Sequence, residues 1–152
     1  MKLQVKPDFL PWLKQHIPLT QHMGIHGLEW QDQILVFNLQ LEPLVNDKGT
    51  GFGGGVAGLA TLLGWCYVNL LLDQATGRCP VVIKESSNRF VAPITGDFQM
   101  LCWCDDPKGM ESFLERYKSN GRARMSLNVE ARQGDQLCFS YEGVYVALGN
   151  ST

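Results

Sequence analysis

Histidine is scarce in this chain, with three in 152 residues, and His16, His22 and His26 all sit near the amino end. A Ser-His or Cys-His couple would have to be assembled from that end. Basic residues are not in surplus either. Thirteen Lys and Arg against fifteen Asp and Glu leave a formal charge of −2, without the cationic excess that a phosphate backbone demands, so nucleic acid is not an expected partner. The five cysteines, Cys66, Cys79, Cys102, Cys104 and Cys138, form an odd set with no Cys-x-x-Cys pair, which points to reduced thiols in the cytoplasm rather than a disulfide framework. Gln4, Lys6, Pro7 and Asp8 interrupt any early apolar run that could serve as a signal-peptide core. There is no internal repeat and no low-complexity linker. With 45% hydrophobic residues, one globular domain over 1–152 is the expectation.

Several segments carry a clear period. Pro7 to His16 places Phe9, Leu10, Trp12 and Leu13 at helical spacing, and Pro11 and Pro18 keep that helix short, within an amino-terminal segment over 1–20. Residues 25–30 and 33–41 read as a hairpin turning near Gln31-Asp32, with Leu35, Phe37, Leu39 and Leu41 on one face. Residues 81–91, 97–104, 122–132 and 136–148 read as further strands. The third alternates Ala123, Met125, Leu127, Val129 and Ala131 with polar residues, and Gly134-Asp135 turns it into the fourth. Met110–Lys118 reads as a short helix or an irregular excursion.

Between the hairpin and these strands runs a glycine-rich turn, Asn46 to Gly55, leading into a segment where only Thr61 and Asn69 are clearly polar. A helix over 52–73 with no solvent face must be enclosed, either in a protein core or in a membrane. The strand-like runs around it favour the core, which gives an α+β domain: a curled antiparallel sheet of about five or six strands around one long buried helix. The open edges of such a sheet suggest a homodimer, with tetramers as a further step.

Two stretches could carry chemistry. Gly53, Gly54 and Gly55 at a helix start offer free backbone N–H groups to an oxyanion, or they merely allow tight packing on the sheet. No Lys-Ser/Thr follows them, so this is not a P-loop. The second stretch, Lys84-Glu-Ser-Ser-Asn-Arg89, is either a solvated edge or the wall of a polar pocket; in the latter case Glu85, two residues inside the strand's apolar start, is the best-placed general base. Cys102 and Cys104 lack a ligand set, so core packing is preferred to zinc. Thr61 could orient water or simply bond back to its own helix. Trp65 and Leu62 are core residues first. Arg89 is a surface charge or a phosphate contact.

Three motifs carry a resemblance: Asn46-x-x-Gly49-Thr50-x-Phe52-Gly53-Gly54, Thr61-Leu62-Leu63-Gly64-Trp65 and Arg89-Phe90-Val91-Ala92-Pro93. Together they resemble the hot-dog-fold acyl thioesterases, and within them the family typified by the C-terminal domain of YiiD, over residues 20–148. The resemblance implies hydrolysis of an acyl-CoA or acyl-ACP thioester by water, with no metal or bound cofactor and with coenzyme A or phosphopantetheine entering as part of the substrate. It implies Asn46 holding the thioester or the water, and the N–H groups of Gly53 and Gly54 taking the oxyanion. Glu85 would act as base, across a dimer interface, with Thr61 assisting. Thr50, Phe52, Gly55, Trp65, Ser87 and Arg89 would line the substrate. Better-known relatives carry a helix carboxylate fifteen residues after the Asn, where this chain has Thr61, and a His where it has Phe52. The alternative is a module that holds an acyl thioester for an acyltransferase of fatty-acid metabolism without hydrolysing it.

Overall fold

The computed structural model describes residues 2–149. The amino-terminal helix α1 (Phe9–His16) leads through a 3-10 turn to a hairpin of β1 (Ile25–Gln31) and β2 (Ile34–Leu39). The long helix α2 (Gly53–Ala75) follows, then β3 (Val81–Phe90), β4 (Phe98–Trp103), helix α3 (Gly109–Asn120), β5 (Arg122–Gln133) and β6 (Gln136–Leu148). Met110–Lys118 thus falls within a regular helix. Gly121, at φ 69, stops it, in the left-handed conformation that glycine adopts without a Cβ penalty.

The six strands form one antiparallel sheet in the order β1-β2-β4-β5-β6-β3, which leaves β1 and β3 as edges. The sheet is curled around α2. A 23-residue helix with apolar side chains on every side is long and apolar enough to cross a membrane, but here the sheet encloses it. Leu59, Leu63, Tyr67 and Leu71 share one core with Phe37, Met100, Leu127 and Phe139 from the inner faces of β2, β4, β5 and β6. Replacing one such leucine with alanine typically costs 2–5 kcal/mol, so this packing sets the position of the helix.

Hydrogen bonds then fix its height and rotation. Tyr67 donates to the Gln33 carbonyl at 3.2 Å, Trp65 Nε1 to the Val81 carbonyl at 3.1 Å, and Tyr145 to the Thr61 carbonyl at 2.8 Å, with Tyr141 and Tyr145 hydroxyls 2.8 Å apart. Gly64 exists for this contact: a Cβ there would stand 2.2 Å from the Tyr145 hydroxyl. Trp65 is held from the other side by Trp12 of α1, stacked at 6.2 Å with 3° between the rings, and the Arg78 guanidinium lies 4.0 Å over Trp12. The motif Thr61-Leu62-Leu63-Gly64-Trp65 is therefore a docking segment.

Two consequences are measurable. Gly64→Ala should lower unfolding stability by about 2–3 kcal/mol, seen as a lower urea midpoint, because the methyl group must push the buried Tyr145 off Thr61. Burial, above all, pushes the Cys66 and Cys102 thiols and the Tyr145 phenol well above their ordinary values of 9.0 and 10.0. These groups stay protonated in the fold but ionise in the unfolded chain. Their stabilising contribution is complete below about pH 9 and is lost as pH rises past it, so urea midpoints should fall steadily from pH 9 to pH 11.

Candidate active site

The entry to α2 is built by the preceding turn. Val45 and Gly51 bridge, Asn46 N–H donates to the Thr50 carbonyl at 2.8 Å, and Gly49, at φ 77, closes the reversal. Asn46 organises this turn with its own side chain. Its Oδ1 accepts from Lys48 N–H at 2.9 Å and Thr50 N–H at 3.1 Å, and its Nδ2 donates to Thr50 Oγ1 at 3.0 Å. In this structure Asn46 uses these atoms inside the loop, as asparagine does in Asx turns. Asn46 and Thr50 are positioning residues.

What they position is the first turn of α2. Gly51 N–H bonds to the Ile94 carbonyl and Phe52 N–H to the Leu44 carbonyl, and the helical ladder opens with Val56 N–H on the Phe52 carbonyl at 3.0 Å. Phe52 occupies the N-cap, in extended geometry, and supplies no side-chain cap. The N–H groups of Gly53, Gly54 and Gly55 are then the ones a helix start leaves without intrahelical acceptors, at the positive end of the dipole. They are not sealed in: Gly54 is exposed, and Gly53 and Gly55 are half-buried. A Cβ on Gly53 would lie 3.2 Å from the Phe90 ring, one on Gly55 3.1 Å from Leu44, and one on Gly54 2.8 Å from Phe52. Phe52 and Phe90 are 56% and 62% exposed, so two phenyl rings rim the amides at the surface.

Thr61 takes the plainer of its two roles. Its hydroxyl donates to the Ala57 carbonyl one turn back, at 3.0 Å. Trp65 is twelve residues from Gly53, about 18 Å along the helix, and serves to anchor it.

The edge strand overturns the placement of Glu85. Val81 and Ile83 sit opposite Ala147 and Tyr145, on the inner side; a bulge at Lys84 then shifts the register, so that Glu85 faces Val144, Ser87 faces Glu142 and Arg89 faces Ser140. Directly paired residues share a face. Glu85, Ser87 and Arg89 therefore lie on the outer face, away from α2. Glu85 and Ser87 line an outer groove of about 510 Å³ with Asn128 and Glu142. The structure does not bring this carboxylate to the glycine amides. The inward positions are Ser86, Asn88 and Phe90, opposite Gly143, Tyr141 and Phe139. Ser86 and Asn88 were missed because the strand was counted from its apolar start. The sequence held a signal: Val81 and Ile83 face inward on odd numbers and Phe90 on an even one, which requires an extra residue between them. The buried thiols Cys66 and Cys102 are held protonated by desolvation and are poor nucleophiles. Among the described residues no cluster of three or more His, Cys, Asp and Glu is placed to hold a metal ion.

A single long helix laid in a curled antiparallel sheet, with an uncapped glycine turn at its open end, is the hot-dog fold of the thioesterases. The chain belongs to the family described as "Putative thioesterase (yiiD_Cterm)", which matches residues 8–149. Its fold is similar to that of a protein of unknown function from Chlorobaculum tepidum, at 25% identity over 92% of this chain and 91% of that one, with a TM-score of 0.82. It is also similar to a "putative thioesterase" from Shewanella oneidensis, at 24% identity over 91% and 93% with a TM-score of 0.77. A thioesterase from Haemophilus influenzae shares 16% identity over 99% of both chains, with a TM-score of 0.70. The last two likenesses bear on the fold alone.

Asn46→Ala should cost about 1–2 kcal/mol by releasing the Asx turn, and amide hydrogen exchange at Lys48 and Thr50 should accelerate in step.

Proposed function

We propose that this protein hydrolyses an acyl thioester of coenzyme A or acyl carrier protein, using the N–H groups of Gly53, Gly54 and Gly55 as an oxyanion hole. The observation that carries the reading is the uncapped first turn of α2, with adjacent backbone donors, no side chain hydrogen-bonded to cap them, and an opening to solvent between the rims of Phe52 and Phe90. Membership of a thioesterase family supports it. Water adds to the thioester carbonyl carbon while the π pair moves onto oxygen, which settles on the amides. The water's second proton passes to solvent; collapse expels the thiolate, which takes up a proton, giving acid and free thiol. Each donor of this kind is typically worth about 3–4 kcal/mol in the transition state. Phe52 and Phe90 give the acyl or pantetheine chain an apolar rim.

The working unit in this proposal is a cytoplasmic homodimer. In the single chain the glycine shelf has one wall, and the free edge of β3 runs beside exposed Phe52, Val82, Ile83, Phe90 and Val91. Pairing through that edge would cover apolar surface that monomers rarely leave open.

One observation favours a second reading, a non-hydrolytic acyl-thioester module: the row of α2 through Gly54, Ala57, Thr61 and Trp65 carries no carboxylate, and Thr61 is bonded to its own helix. The two readings separate on a panel of acetyl-, octanoyl- and palmitoyl-CoA followed by thiol release; turnover supports hydrolysis, and binding without turnover supports the module.

Gly53→Pro probes the oxyanion hole directly. Proline suits the first helical position, and the preceding Phe52, at φ −68 and ψ 125, already has the conformation required before proline. The variant should fold with only a small drop in thermal midpoint, the exposed Phe90 ring moving aside for the new Cβ, and lose about 100-fold in kcat, one donor having been deleted.

A further inference from the structure

We infer that Asn88, on the inner face of the edge strand beside the first turns of α2, orients the attacking water. This rests on the hydrolytic reading above and adds to it the polar group that reading lacks.

The placement follows from register. After the bulge at Lys84 the inward residues are Ser86, Asn88 and Phe90. Phe90 marks the end of the row at the helix start: its ring lies 5.0 Å from that of Phe139, which is buried in the core, and covers Gly53 at 3.2 Å from where a Cβ would be. The other end is fixed by Trp65 Nε1 on the Val81 carbonyl. The strand thus runs antiparallel to α2, with Asn88 two residues, about 7 Å, along from Phe90, beside the turns that carry the half-buried Ala57 and Thr61. Asn88 is the first polar side chain inward of the phenyl rim.

Chemistry supports the same assignment. The side chains of Ser86 and Asn88 are exposed. They face the side of the sheet whose other members are apolar, and an apolar cover would strip their water without compensation. What fills the space against them must itself be polar. A carboxamide suits an attacking water: Oδ1 accepts a hydrogen bond from one of its O–H groups and so aims the oxygen lone pair at the carbonyl carbon, whose oxygen rests on the amides 53–55. No charge is placed beside the developing oxyanion, and the water's other proton goes to solvent as before. Asn46 has its amide oxygen committed to the turn, and Thr61 directs its hydroxyl proton to the Ala57 carbonyl of its own helix. Glu85 is on the wrong face.

The test uses the full chain with octanoyl-CoA, followed by thiol release from pH 4 to pH 9. Asn88→Ala should lose about 100-fold in kcat with KM within threefold of the parent, and Glu85→Gln should change neither. Asn88→Asp, nearly isosteric, should recover part of the rate and acquire an inflection in the carboxylate range that the parent profile lacks, a signature a merely structural role would not produce. Asn88→Ala with kcat within twofold of the parent, or a loss seen only in KM, overturns the inference while the oxyanion reading stands. Absence of parental turnover across the acetyl-, octanoyl- and palmitoyl-CoA panel overturns both.

Discussion

The structure depends on enclosing a helix that has no side for water. Within α2 the helical ladder supplies backbone acceptors beyond the first turn, and most apolar side chains are buried in the core. The unmet hydrogen-bonding capacity of this element is therefore concentrated at its entry, where the chain arrives from the Asn46 turn and supplies glycine three times in succession. The same enclosure that makes the core also makes a patch of unpaired donors at the surface, held rigidly by Tyr67, Trp65 and Tyr145 far down the helix.

The glycines themselves are informative when weighed one at a time. Glycine costs roughly 1 kcal/mol against alanine within a helix, so three together need a reason. Gly53 and Gly55 have partial packing reasons, a Phe90 ring and a Leu44 methyl at 3.1–3.2 Å from a notional Cβ. Gly54 has a weaker one: its only close neighbour is the exposed and movable Phe52 ring. Packing does not account for glycine at that position, whereas access to the main chain does.

Much of this was legible in the sequence. Alternation in Ala123–Ala131 set the faces of β5 because that strand is buried on one side only, and Leu35, Phe37 and Leu39 set those of β2 although Val36 is buried on its other face. The lack of a polar face between 56 and 72 showed the central helix to be enclosed. What could not be read was anything decided by one residue's rotation. The bulge at Lys84 reverses the facing of every later residue in β3, so a count from Val81 sends Glu85 inward and a count from Phe90 sends it outward. Asn46 matched a motif position correctly, but a motif does not show whether an amide points at a ligand or back into its own turn. Thr61 likewise kept its place in the pattern and directed its hydroxyl to Ala57.

The reversal in β3 also determines what kind of chemistry the inner side can support. Glu85 and Glu142 are together on the outer face, and the inner row carries only neutral polar groups. A carboxylate held against the first turn of α2 would be attracted by the positive end of the dipole and would compete for its N–H groups, leaving fewer donors for an oxyanion that forms only in passing. A neutral row avoids that competition. It exchanges the proton-accepting strength of a base for donors that remain available, and places the burden of catalysis on the stabilisation of negative charge at the carbonyl oxygen. In the proposed mechanism, a threonine at position 61 and the outward turn of Glu85 leave the developing charge to the backbone of the glycine turn and the aiming of water to side chains.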